Sequence, residues 1–251
     1  MSARAAALAA LLAAAAWPAG DARAQYVPGG DVQAYLLDWA RLGRYREENA
    51  RLPPPRAGEP RVVFLGDSIT DDWGRKAGAF FPGKPYVNRG IGGQTTPQML
   101  VRLREDVIAL KPAVLAVLAG TNDISANTGP VTQAQVEGYL SSIVELAHAH
   151  GIRVVLGTLL PVTDAHGEQT RRRPPARIAA LNDWIRAYCA AGHCTVADYH
   201  AATVGADGLL RPELSGDGLH PNAAGYARME PVAQAAIDRA LAAPAPPAAR
   251  P

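Results

Sequence analysis

The chain has 251 residues, 48% of them hydrophobic and 19% charged, a balance that excludes an intrinsically disordered protein and suits one ordinary globular domain. Its formal net charge is +2, and no basic stripe interleaved with aromatics runs through it. That excludes a nucleic-acid partner from the reading. The first segment is not counted as fold. Arg4 precedes an apolar stretch from Ala5 to Trp17, Pro18 and Gly20 break it, and Ala22-Arg23-Ala24 supplies a small-x-small pattern. This is the layout of a secretory signal peptide cut after Ala24. The apolar run of about 13 residues is short of the roughly 20 needed to span a bilayer, so stable membrane insertion is not expected. Cleavage leaves a domain over 25–242 and a Pro/Ala-rich tail over 243–251, read as disordered.

In chain order, Asp31 to Leu52 reads as a helix with Asp31 as N-cap, ended by Pro53-Pro54-Pro55. Strand signals follow at Arg61–Leu65, Pro85–Asn88, Ala113–Leu118, Arg153–Leu160 and Thr195–Asp198. Helix signals lie between them at Thr96–Leu110, Val131–His150 and Pro175–Ala191, with a last one at Pro221–Leu241. Strands that are apolar on both faces belong inside a parallel sheet covered by helices. The alternation therefore predicts a three-layer α/β/α sandwich around a five-stranded parallel, flavodoxin-like sheet. In such sheets chemistry sits beyond the carboxyl ends of the strands, at Gly66–Thr70, Asn88–Gly93, Gly120–Asp123 and the loop from Pro161 to Pro174.

Ser68 stands two residues past the first strand at a helix start, where its own N–H faces developing negative charge. By itself it is an N-cap serine. Asp217 and His220, in DGLHP, offer what a serine hydroxyl lacks: a base near neutral pH and a carboxylate that orients it. Gly93 can supply an unobstructed backbone N–H, and Asn122 a side-chain N–H, to an oxyanion. Taken singly they are a turn glycine and an Asx-turn asparagine. No G-x-S-x-G elbow, no complete dinucleotide fingerprint and no GK[ST] loop competes. His148 and His150 are two apart on a helix and make a poor metal pair. No metal and no cofactor are expected.

Four blocks, GDSIT at Gly66–Thr70, NRGIGG at Asn88–Gly93, GTND at Gly120–Asp123 and DGLHP at Asp217–Pro221, resemble those of the GDSL/SGNH hydrolases, in family order over about 155 residues. Ile69 stands where the family name has Leu. The resemblance implies a sheet order of 2-1-3-4-5, a Ser68–His220–Asp217 triad, and an oxyanion hole of the Ser68 and Gly93 N–H groups with Asn122. Together with the leader, it implies an exported esterase acting on short acyl, chiefly acetyl, esters of carbohydrates. The alternatives are a lysophospholipase or thioesterase on the same fold, and a non-catalytic carbohydrate-binding domain. Asp67, Trp73 and the run Arg171-Arg172-Arg173 are candidate substrate contacts: Trp73 by stacking on a sugar ring or else as core, the arginines by holding an anionic group or else as a solvated run. An export signal shifts Cys189 and Cys194 from two buried thiols toward a local disulfide. An ester, small or carried on a glycan, is the expected partner. Oligomeric state is not legible.

Overall fold

This computed structural model describes residues 32–247. The leader read at 1–24, the Asp31 cap and the end of the tail lie outside the described residues. Residues 243–247, the described part of that tail, adopt no regular secondary structure.

Five strands, β1 (Val62–Gly66), β2 (Tyr86–Gly90), β3 (Val114–Leu118), β4 (Arg153–Gly157) and β5 (Thr195–Ala197), form one parallel sheet in the order β2-β1-β3-β4-β5. The ten α-helices of the described residues are α1 (Val32–Leu37), α2 (Arg46–Arg51), α3 (Ser68–Asp72), α4 (Thr96–Asp106), α5 (Thr121–Ile124), α6 (Gln133–Ala149), α7 (Gln169–Arg172), α8 (Pro175–Tyr188), α9 (Tyr199–Thr203) and α10 (Ala223–Ala242). Period-two alternation divides the sheet residues between two cores. Val63, Leu65, Leu115, Val117, Val154 and Leu156 face α4, α6 and α8. Val62, Phe64, Val114, Ala116 and Val155 face α3 and α10, where Ala233, Ala236 and Ala240 keep the last helix close to the sheet. The expected three-layer sandwich is the observed one.

The elements differ from expectation where side chains compete with the regular backbone pattern. The single helix expected over 31–52 is two short ones, α1 and α2. Asp38 breaks it by accepting from the N–H of Leu42 at 2.8 Å and of Gly43 at 3.0 Å, while Arg41 takes a left-handed φ of 54°. The strand expected to reach Leu160 stops at Gly157, because Asn182 of α8 takes both backbone groups of Leu159, accepting at 2.7 Å and donating at 2.9 Å. The helix expected to run through Ala191 ends at Tyr188. A wider π turn (Cys189–His193) follows, with Gly192 at φ 91°, and the Cys189–Cys194 disulfide closes it.

That bridge joins α8 to β5 across a sequence separation of five residues. Short loops gain little from closure, so replacing both cysteines by alanine should cost about 2 kcal/mol or less. Denaturant unfolding of the oxidised protein and the double variant measures it. Free thiols in the oxidised wild type on quantitative alkylation would contradict the pairing.

Candidate active site

The site is assembled at the carboxyl edge of the sheet. β1 delivers Asp67 and Ser68. Asp67 is the N-cap of α3, its Oδ1 accepting from the Ile69 N–H at 2.9 Å. Ser68 thereby becomes the first residue of a helix whose initial N–H groups lack intrahelical partners. α3 lies hard against the end of β2, where a Cβ on Gly90 would stand 2.1 Å from the Asp71 nitrogen. Asn88 fastens the same corner by donating to the carbonyls of Thr70 (2.6 Å) and Trp73 (3.2 Å). Tyr226 of α10 donates to the Ile69 carbonyl at 2.8 Å from the other side.

The loop before α10 brings in the imidazole. Asp217 Oδ1 accepts from the N–H groups of Leu219 (2.9 Å) and His220 (2.8 Å), which folds Asp217–His220 into a tight Asx-type turn. Its other oxygen, Oδ2, pairs with His220 Nδ1 at 2.5 Å, and His220 Nε2 meets Ser68 Oγ at 2.8 Å. Hydroxyl, imidazole and carboxylate thus stand in line. Partial burial would raise the Asp217 carboxyl. The bonds from the His220 ring and from the two backbone N–H groups outweigh it and hold the group down at about 2. The Asp217 and His220 side chains remain 50% and 33% exposed, so the rim is open to solvent.

Gly93 and Asn122 complete the edge. A Cβ on Gly92 would lie 3.8 Å from the Ser68 Cβ, which sets the glycine loop beside the serine. The Gly92 N–H is held by Asp71 Oδ2 at 3.2 Å, and Gly93 takes φ 79°, a conformation few other residues adopt without strain. Asn122, buried on α5, donates to the Gln94 carbonyl at 3.0 Å, adjoining Gly93. The Ser68, Gly93 and Asn122 segments therefore face one another as the motif order suggested.

The candidate substrate contacts divide. Trp73 is no sugar platform. It is 2% exposed, stacked on Tyr226 with centroids 5.2 Å apart, and its indole N–H donates to the Ala79 carbonyl at 3.0 Å. The large apolar ring found its place in the core of the α10 face. Asp67 is equally closed off at 1% exposure, because its carboxylate serves as the α3 cap. Arg171 and Arg172 stand in solvent on α7, Arg171 paired with Glu168 at 3.4 Å. Arg173 breaks from that run: it is buried and bonded to Thr121, Asn122 and Gln169.

A buried polar layer behind the site escaped sequence reasoning. Arg102, fully buried, donates to Gln94 Oε1 (2.6 Å), to Asp106 Oδ2 (3.1 Å) and to the Gly66 carbonyl (3.0 Å). It ties the end of β1 to the glycine loop. Asp123 caps α4 through the Thr96 N–H (3.1 Å) and hydroxyl (2.6 Å), tying the Asn122 segment to the same loop. Of these residues only Asp123 stood in a block that the sequence singled out, GTND, and there without a role of its own. Among the described residues no cluster of three or more His, Cys, Asp or Glu side chains could hold a metal ion. No described helix is long and apolar enough to cross a membrane.

A hydroxyl, an imidazole and a carboxylate aligned at hydrogen-bond distance are the equipment of hydrolases that act through an activated serine. The model of the GDSL-like lipase/acylhydrolase family matches residues 64–228, and the chain belongs to that family, whose members are ester hydrolases. Among solved structures, a GDSL-like lipase from Bacteroides thetaiotaomicron is 40% identical with a TM-score of 0.75, over 80% of this chain and 99% of that one. An acetylxylan esterase from Geobacillus stearothermophilus, Axe2, shares the fold at 23% identity and a TM-score of 0.57, over 71% of this chain and 94% of that one. An uncharacterized lipoprotein of Bacillus subtilis, YqeF, is 33% identical over 85 residues, which span 33% of this chain and only 35% of its own length.

Capping a helix with a buried carboxylate has a pH signature. Burial pushes the Asp67 carboxyl up to about 6, against the pull of the Ile69 N–H and the His220 and Arg173 charges. The unfolded chain releases that proton near pH 4. Below pH 4 both states hold it. Between pH 4 and 6 the unfolded state gives it up first, so this group's contribution to stability falls as pH rises and is fully lost above 6. Asp67→Asn keeps an acceptor for Ile69 and removes the charge. Its melting temperature relative to wild type should therefore climb across pH 4–6.5. A constant difference across that range would disprove the assignment.

Proposed function

We propose that this chain is a serine esterase in which Ser68 is the nucleophile, His220 the general base and acid, and Asp217 the group that orients and stabilises the imidazole. The observation that carries the reading is the unbroken chain from Ser68 Oγ through His220 to Asp217, at 2.8 and 2.5 Å. His220 Nε2 takes the Oγ proton as Ser68 attacks the ester carbonyl carbon. The oxyanion so formed is met by the N–H groups of Ser68 and Gly93 and the Nδ2 of Asn122. His220 then returns the proton to the departing alkoxide oxygen, leaving an acyl-Ser68 ester. A water deprotonated by the same ring hydrolyses that ester, and the acid leaves. Asp217, held at about 2, stays ionised through the cycle and stabilises the imidazolium each time it forms.

The proposed substrates are short acyl esters, chiefly acetyl groups on carbohydrate. An open rim, at which Asp217 and His220 keep half and a third of their side chains exposed, admits a bulky alcohol and encloses little acyl chain. The acetylxylan activity of a protein of the same fold agrees with this reading. One observation favours a lipid ester instead: Leu36 and Leu37 are 74% and 80% exposed on α1, a segment whose continuation docks on the glycine loop through the Ala40 carbonyl and Gln94 (2.8 Å). We also read the protein as exported, on its leader-like first 24 residues and the Cys189–Cys194 bridge.

Ser68→Ala should lower kcat on p-nitrophenyl acetate by at least about 10³-fold without loss of fold, and a fluorophosphonate should label Ser68 alone. More than about a tenth of wild-type kcat in the variant would sink the serine mechanism. A profile across acyl chain length, run beside acetate release from acetylated xylan, decides the substrate. Activity that rises steadily beyond butyrate would favour the lipid reading.

Asn122→Ala should reduce kcat by about 10²–10³-fold with little change in KM, since an oxyanion donor acts mainly in the transition state. A defect confined to KM would remove Asn122 from the oxyanion hole.

A further inference from the structure

Arg173 closes a run of three arginines, yet its neighbours Arg171 and Arg172 are exposed and it is 3% exposed. A guanidinium is withdrawn from water at a cost of several kcal/mol unless its donors are met. Here three of its five N–H donors are met by acceptors. Nε donates to Thr121 Oγ1 at 3.1 Å, Nη1 to Gln169 Oε1 at 3.1 Å and Nη2 to Asn122 Oδ1 at 3.3 Å. Gln169 in turn donates from Nε2 to the Asp217 carbonyl at 3.1 Å. Burial lowers the guanidinium to about 10, with Arg172 adding to the effect and Asp67 and Asp217 opposing it, so it is a cation at neutral pH.

An asparagine amide has two orientations related by a half-turn of its end group, and only one suits an oxyanion. With Oδ1 toward Arg173, one Nδ2–H goes to the Gln94 carbonyl and the second remains available. With the amide turned over, Nδ2 would face the donors of Arg173 and Oδ1 would face the Gln94 carbonyl oxygen. That leaves two like-with-like contacts in a buried place and an acceptor aimed where a donor is required.

We propose that Arg173 is the positioning residue of the oxyanion site: its guanidinium fixes the orientation of the Asn122 amide so that one Nδ2–H stays directed at the reacting carbonyl, and through Gln169 it keeps the Asn122 segment in step with the Asp217–His220 turn. The proposal rests on the esterase reading above and adds a residue to it. Lysine cannot replace it, since one ammonium does not reproduce the planar fork that reaches three acceptors. Nor is Arg173 a contact for an anionic substrate, because it lies below the surface.

The test is a double-mutant cycle on p-nitrophenyl acetate. Arg173→Met should lower kcat by about 10–100-fold with KM within about twofold, less than loss of the donor itself. Arg173→Lys, which keeps the charge and loses the fork, should fall within a few-fold of the methionine variant. In an Asn122→Ala background, Arg173→Met should change kcat by no more than about twofold, because the group it positions is gone. Wild-type kcat in Arg173→Met, or a full independent effect in the Asn122→Ala background, overturns the proposal. So does wild-type kcat in Arg173→Lys, which would leave the charge and not the fork in command. Should the methionine variant not fold, the lysine cycle and a crystal structure of the wild-type phosphonate adduct on Ser68 decide. Nη2 on Asn122 Oδ1 with Nδ2 on the phosphonyl oxygen supports the proposal. Arg173 on the phosphonyl oxygen itself refutes it. Ser68→Ala separates the two layers: if that variant stays active the esterase reading fails, whereas a dead Ser68→Ala with an unaffected Arg173→Met fails only the inference drawn here.

Discussion

Gly66 pairs in register with Gly90 on one side and with Leu118 on the other, so three chains leave the sheet side by side at one level. Parallel pairing imposes this. Strands running the same way must all end on the same edge, and their successors must all turn there. Ser68, the Gly92–Gly93 pair and Asn122 follow those ends by two to four residues. They are neighbours because the sheet aligned their strands, not because any of them attracts another. The pieces from far along the chain, Arg173 and the Asp217–His220 turn, come to the same edge from the loops after β4 and before α10.

Adjacency of strand ends does not fix side chains to within tenths of an ångström. That is the work of the buried polar layer beneath them. Arg102 spans the Gly66 carbonyl, Gln94 and Asp106, Asp123 caps α4, and Arg173 holds Asn122. Removing one partner of a buried ion pair such as Arg102–Asp106 typically costs about 3–5 kcal/mol, because the survivor is left as an unsatisfied charge. The proposed oxyanion donors, which would have to await the charge without rearranging, would depend on that kind of support.

The Asp217–His220 turn shows economy of a different sort. One carboxylate oxygen closes the backbone turn and the other fixes the ring, so local geometry and, in the proposed mechanism, proton chemistry rest on the same side chain. The spacing of three residues in DGLH is what permits both. At the opposite corner, the Asp67 carboxylate ends the strand–helix joint and is buried with a raised affinity for its proton, so part of the native stability is given up at neutral pH to place Ser68 at the helix start.

Much of this was legible in the sequence. Apolar runs on both faces marked β1, β3 and β4, the helical stripe of Val136, Leu140, Ile143 and Val144 marked α6, and the short blocks containing Ser68, Gly93, Asn122, Asp217 and His220 fell at the predicted strand ends and turn. Local periodicity and turn chemistry record these directly, since each depends on residues within a few positions of one another. The tertiary structure decided the rest. Of its two readings Trp73 took the core one, and Arg173 left its charged run for a buried place, neither of which local spacing decides. Asp38 cut one expected helix into two, and Asn182 ended β4 early by taking the backbone of Leu159. Which large or charged side chain is enclosed, and which carboxylate or amide outcompetes a regular backbone bond, depends on partners tens of residues away. The sequence lists those partners, and only the packed chain brings them within bonding distance.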